Sequence, residues 1–116
     1  MKSLCRIAGI LLLLVSVQSN ALAAQLVMID SRTCRYCAAF NRQVGSDYNK
    51  TEAGRVAPLR RVSVLKKWPS DLAGVKRTTF TPVFILVDRG REVGRFYGFI
   101  DAPTFYSDVN NLLRQF

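Results

Sequence analysis

The chain has 116 residues, enough for one small domain and no second. Lys and Arg outnumber Asp and Glu by 17 to 8, giving a formal charge of +9, and histidine is absent. The basic residues are scattered along the chain, with doublets such as Arg60-Arg61 and Lys66-Lys67, and no RNA- or DNA-binding motif accompanies them, which argues against a nucleic-acid partner. Without histidine, a structural four-ligand zinc site would need two chains.

Lys2 and Arg6 make a basic start, followed by a nearly unbroken apolar stretch from Ile7 to Val17. Ser19 and Asn20 break it, and Ala21-Leu22-Ala23 supplies small residues at the −3 and −1 positions. That order predicts a secretory signal peptide over 1–23, cleaved after about Ala23. The apolar run is short for a membrane span. Cys5 precedes it, whereas a lipid-anchoring cysteine would follow it, so Cys5 leaves with the leader. The expected mature chain, 24–116, has 93 residues, a charge of +7 once Lys2 and Arg6 go, and two cysteines, Cys34 and Cys37. Its expected location is the periplasm, an oxidising compartment. A basic mature domain suits an acidic partner, an anionic membrane surface, or simply a solvated exterior.

Gln25 to Asp30 is an apolar run rich in branched residues and short enough for a buried strand. Ser31-Arg32-Thr33 turns into Cys34. From Cys37 onward, Ala38, Ala39, Phe40 and Val44 give helical spacing, ended by Gly45 or by Ser46-Asp47. Lys50 to Val56 reads equally as loop or as a short helical continuation. Pro58 to Val64 alternates, with Val62 and Val64 on one face and Arg61 and Ser63 on the other, and reads as a second strand. Trp68 reads as a packing residue, and Ser70 to Gly74 as a single turn or loop. Val83 to Val87 is a fully apolar central strand. Asp88-Arg89-Gly90 is a hairpin turn with glycine where positive φ is needed. Arg91 to Phe99 is the returning strand. Asp101 suits an N-cap with Pro103 just inside the next helix, where Phe105, Val109, Leu112 and Leu113 recur on one face. The first two strands, joined by a long crossover, should be parallel, and the last two antiparallel.

Thr33-Cys34-Arg35-Tyr36-Cys37 carries the chemistry. A disulfide across a two-residue gap closes too small a loop to stabilise much, so redox work explains it better than stapling. Cys-x-x-Cys at a strand-to-helix junction resembles the thioredoxin-like redox motif. Thr81-Pro82, directly before an apolar strand, resembles the cis-proline loop of that superfamily, and the hairpin and terminal helix agree. The resemblance covers Gln25 to Phe116 and implies an α/β thioredoxin-like fold, with a mixed sheet of about four strands flanked by helices. There are departures. Thr33 stands where thioredoxins usually carry tryptophan, and Arg35-Tyr36 where they carry Gly-Pro; Tyr36 is shared with glutaredoxins. The buried acid of the first strand has no clear match, Asp30 being nearest and reading more readily as a turn or N-cap residue than as a proton-transfer base. The size is that of a glutaredoxin, similar to the small exported SoxS-type proteins encoded with sulfur-oxidation systems.

The nucleophile of such a site is a thiolate. Cys34, where the strand ends, should be exposed and acidified by the free N–H groups of the helix and by Arg35 and Arg32. Cys37, one turn in, should be buried and resolve the mixed disulfide. By resemblance, Thr81 and Pro82 receive an extended substrate segment, in the manner of strand addition; Arg35 and Tyr36 are further candidates for substrate binding. The expected activity is that of a thiol-disulfide oxidoreductase needing no cofactor, reducing or reactivating a partner protein's cysteine and recharged by a membrane thiol-electron transporter. The alternatives are soft-metal binding, with Cys34 and Cys37 holding Cu(I), a thiol oxidase, or an inert thioredoxin-like interaction module.

Overall fold

The computed structural model describes residues 24–116; the expected leader and Cys5 lie outside the described residues. Strand β1 (Ala24–Asp30) leads into helix α1 (Arg35–Phe40), which widens into a π-helical turn over Asn41–Gly45. A 3-10 turn at Tyr48–Lys50 precedes helix α2 (Glu52–Val56), and β2 (Leu59–Ser63) follows. After a 3-10 turn at Ser70–Leu72 come β3 (Val83–Asp88), β4 (Arg91–Tyr97) and helix α3 (Ala102–Leu113).

The sheet order is β2-β1-β3-β4. β1 runs parallel to β2, with Ile29 opposite Val62, and antiparallel to β3, with Met28 opposite Phe84. β3 and β4 form the antiparallel hairpin. The two central strands are apolar throughout because both sheet faces are covered. Leu26, Met28, Phe84 and Leu86 face a layer holding Phe40, Val44, Tyr48, Phe105 and Val109. Val27, Ile29, Val83, Ile85 and Val87 face a second layer with Val62, Leu72 and Val75, against which Val64 and Trp68 pack. Trp68 also donates its indole N–H to the Leu72 carbonyl at 2.8 Å.

Phe40, Phe84 and Phe105 form the centre of the first layer, their ring centroids 5.0–5.1 Å apart pairwise. Phe40 ends α1 and Phe105 belongs to α3, so this cluster clamps both helices to β3. Asp101 caps α3, accepting the Thr104 N–H at 2.8 Å, and Pro103 lies in the first turn. The hairpin turn uses positive φ at Arg89 as well as at Gly90, the mirror-image turn whose twist matches the strands.

α1 begins at Arg35 with Cys34 as its N-cap and Cys37 in its first turn, as the sequence implies, whereas two later stretches add to or alter the expectation. Within residues 50–56, which the sequence left open, Glu52–Val56 form a separate helix, because Thr51 is extended and its hydroxyl oxygen caps the Gly54 N–H at 3.1 Å. β4 stops at Tyr97, where Gly98 takes φ +85° and donates its N–H to the Pro82 carbonyl at 2.8 Å.

Candidate redox site

The chain leaves β1 at Asp30 and turns through Ser31, whose carbonyl accepts the Cys34 N–H at 3.2 Å. Cys34 is the N-cap of α1: its backbone is extended and its sulfur accepts the Cys37 N–H at 3.0 Å. The two sulfurs are bonded at 2.12 Å, with the Cα atoms 5.2 Å apart. Cys34 is partly exposed, whereas Cys37 is 2% exposed and packs into the first core layer. The two sulfurs therefore differ in reach: only Cys34 meets solvent to any extent.

On one side of the pair lies a polar cavity of about 240 Å³, lined by Asp30, Arg32, Cys34, Cys37 and Asn41 among others. Asp30 is neither a turn residue nor an N-cap, contrary to expectation. It is the last residue of β1 and pairs with Arg61 of the neighbouring β2 at 3.2 Å. Arg61 also contacts the Met28 sulfur at 3.5 Å, and its guanidinium lies 5.9 Å from the Phe40 ring centre. Strand pairing causes this: the register puts Asp30 and Arg61 on the same sheet face.

On the other side lies an apolar groove of about 350 Å³, formed by Tyr36, Phe80, Thr81, Pro82, Gly98, Phe99 and Ile100. The Thr81–Pro82 peptide bond is cis. Phe80 packs edge-on against Tyr97, with centroids 5.8 Å apart. Tyr36, Phe80, Tyr97 and Ile100 are each more than half exposed.

The sequence matches the thioredoxin-like domain family over residues 14–112. The chain belongs to the thioredoxin-like domain family. Among solved structures it is similar to the periplasmic thioredoxin SoxS from Paracoccus pantotrophus in its reduced form, at 30% identity over 79% of this chain and 97% of that one, with a TM-score of 0.75. It is also similar to a Thermus thermophilus thioredoxin, at 26% identity over 78% of this chain and 73% of that one, with a TM-score of 0.59. A Fasciola hepatica thioredoxin shares the fold at 19% identity, 78% and 81% coverage and a TM-score of 0.59. No curated protein matches the sequence. A thioredoxin-like domain with a bonded Cys-x-x-Cys pair at a helix start is a thiol-disulfide oxidoreductase.

Within this thioredoxin-like domain, the fold brings Tyr36, Thr81 and Pro82 to one groove although 45 residues separate Tyr36 from Thr81. Arg35 is exposed and lines neither that groove nor the polar cavity. Phe80, Phe99 and Ile100 escaped the sequence reading. The available signal was Phe80, a lone large apolar residue among threonines, and Ile100, apolar just before a helix cap.

Proposed function

We propose that this chain is an exported, periplasmic dithiol reductase that restores a reduced cysteine on a partner protein, with Cys34 as nucleophile and Cys37 as resolving thiol. The observation that carries this reading is the asymmetry of the pair. Cys34 holds the N-cap position, receives a backbone N–H and meets solvent, while Cys37 is buried behind it. A donor aimed at a sulfur favours its charged form.

The cycle balances as two exchanges. The Cys34 thiolate attacks one sulfur of the partner disulfide, forming a Cys34–partner bond and releasing the other partner sulfur as a thiolate. Cys37 loses its proton and attacks the Cys34 sulfur, forming the Cys34–Cys37 bond and releasing the second partner thiolate. The partner gains two electrons, and two protons from solvent or neighbouring acids complete its thiols. Thr81 and Pro82 border the groove that would receive the partner segment. A membrane dithiol donor would return the electrons. The resemblance to a periplasmic thioredoxin and the leader-like N-terminus support export.

The test is trapping. Cys37→Ser should accumulate a covalent mixed disulfide with the partner through Cys34, and Cys34→Ser should accumulate none. Reduction of protein disulfides by the purified dithiol form should vanish in both variants. A wild-type protein that only oxidises dithiols, with an equilibrium potential of about −120 mV, would reverse the proposed direction.

A further inference from the structure

Next to the apolar groove lies a cleft that the thiol exchange leaves unused. Lys76, Arg77 and Thr78, from the loop before β3, face Glu92, Arg95 and Tyr97 of β4 around about 330 Å³. Arg95 and Glu92 form an ion pair and neutralise each other. Arg95 also donates to the Lys76 carbonyl at 2.9 Å, which ties the loop to the strand. Lys76 and Arg77 are exposed and form no salt bridge among the described residues. The cleft therefore presents two uncompensated cations.

The cleft and the groove share a wall. Tyr97 lines the cleft, and its exposed ring packs on Phe80, which lines the groove. The groove in turn includes Tyr36, the residue before Cys37. A chain segment held at the sulfurs can thus cross the groove, pass over the Tyr97–Phe80 edge and reach Lys76 and Arg77.

We propose that the partner is recognised through an extended acidic segment: a large apolar residue beside its reactive cysteine fills the groove, and carboxylates farther along enter the Lys76–Arg77 cleft. This rests on the redox reading and adds the substrate class. Charge complementarity selects the occupant, since opposite potentials steer encounter and suppress wrong partners. A second copy of this chain is disfavoured by the same argument, because basic residues exceed acidic ones across the described part. Concave shape argues for a polypeptide over a membrane surface.

The test measures capture without turnover. Cys37→Ser protein is mixed with peptides whose single cysteine is activated as a disulfide with thionitrobenzoate. Cys34 bonds to the peptide sulfur and expels thionitrobenzoate anion, which is read by its colour. One peptide carries an apolar neighbour and downstream aspartates, a second has lysines in place of the aspartates, and a third has alanine in place of the apolar residue. The acidic apolar peptide should be captured about tenfold faster than its lysine counterpart at low ionic strength, and the gap should close in salt. Lys76→Glu with Arg77→Glu should reverse that order, while loss of the apolar residue should slow capture severalfold. Equal capture of acidic and basic peptides, or an order untouched by the double substitution, overturns the proposal. Equal capture together with sedimentation on phosphatidylglycerol vesicles, lost in the double variant, assigns the cleft to a membrane instead. A small neutral disulfide separates the two layers of inference. If Cys34 attacks it no faster than a free thiol does, the redox reading fails and the substrate class falls with it. If it attacks fast but shows no acidic preference, only the substrate class fails.

Discussion

Tyr48 is the residue on which the first core layer turns from packing to polar bonding. It is fully buried, and its hydroxyl donates to the Ala57 carbonyl at 2.8 Å, joining the segment after α1 to the end of α2. Burial holds its phenol well above the usual range, and the nearby Tyr106 adds to the rise. A raised folded value means that the neutral phenol stabilises the fold. That contribution is complete below the unfolded value near pH 10 and is lost as pH rises above it. Wild-type melting temperature should therefore fall above about pH 10 more steeply than that of Tyr48→Phe. At neutral pH the phenylalanine variant should be about 1 kcal/mol less stable, since the Ala57 carbonyl loses its donor. Parallel curves above pH 10 would refute the assignment. The contrast with the redox pair is instructive. Cys34 and Cys37 were legible because their spacing is local, whereas Asp30 was misread because its partner, Arg61, arrives through strand register that local sequence does not encode.

At the scale of elements, α2 is held by one cap and one missing side chain. The Thr51 hydroxyl accepts the Gly54 N–H and donates to the Tyr48 carbonyl at 2.6 Å. A Cβ on Gly54 would lie 2.0 Å from that same carbonyl oxygen, which belongs to backbone and has little room to yield. Gly54→Ala should cost about 3 kcal/mol or more, above the usual range for overpacking against mobile side chains. Thr51→Ala should cost about 1 kcal/mol through the lost cap. Chemical denaturation of the two variants checks both; a Gly54→Ala protein as stable as wild type would show that the α2 contact is loose. The four strands and α3 could be read from the chain because β1 and β3 are continuously apolar and α3 has both cap and periodicity. Residues 50–56 could not, since a glycine needed for close approach looks the same in sequence as one that breaks a helix. The apolar groove was hidden for a related reason: Tyr36, Phe80 and Ile100 lie on separate segments and become neighbours only when α1, the loop before β3 and the end of β4 converge.

For the molecule as a whole, the question is whether the disulfide holds the fold or merely resides in it. Closing a four-residue loop removes about 2 kcal/mol of unfolded-chain entropy on the usual loop-closure relation. In a domain of this size, that alone would separate the oxidised and reduced melting temperatures by roughly 8–16 °C. The reduced form has an offset, because under the redox reading the Cys37 N–H then donates to a thiolate at Cys34, and a bond to a charged group contributes about 1.5–3 kcal/mol. The two effects are of similar size and opposite sign. Neither sulfur is needed to join the core layers, which meet through Phe40, Phe84 and Phe105 on one sheet face and through Val27, Ile29 and Ile85 on the other. Oxidised and reduced protein should consequently melt within about 8 °C of each other at neutral pH, both cooperatively. Cys34→Ser and Cys37→Ser should not unfold the chain. Calorimetry of both redox forms decides the matter: a reduced protein that melts far below the oxidised one would make the bond a structural staple, and a reversible dithiol cycle would then carry an unfolding penalty at every turnover.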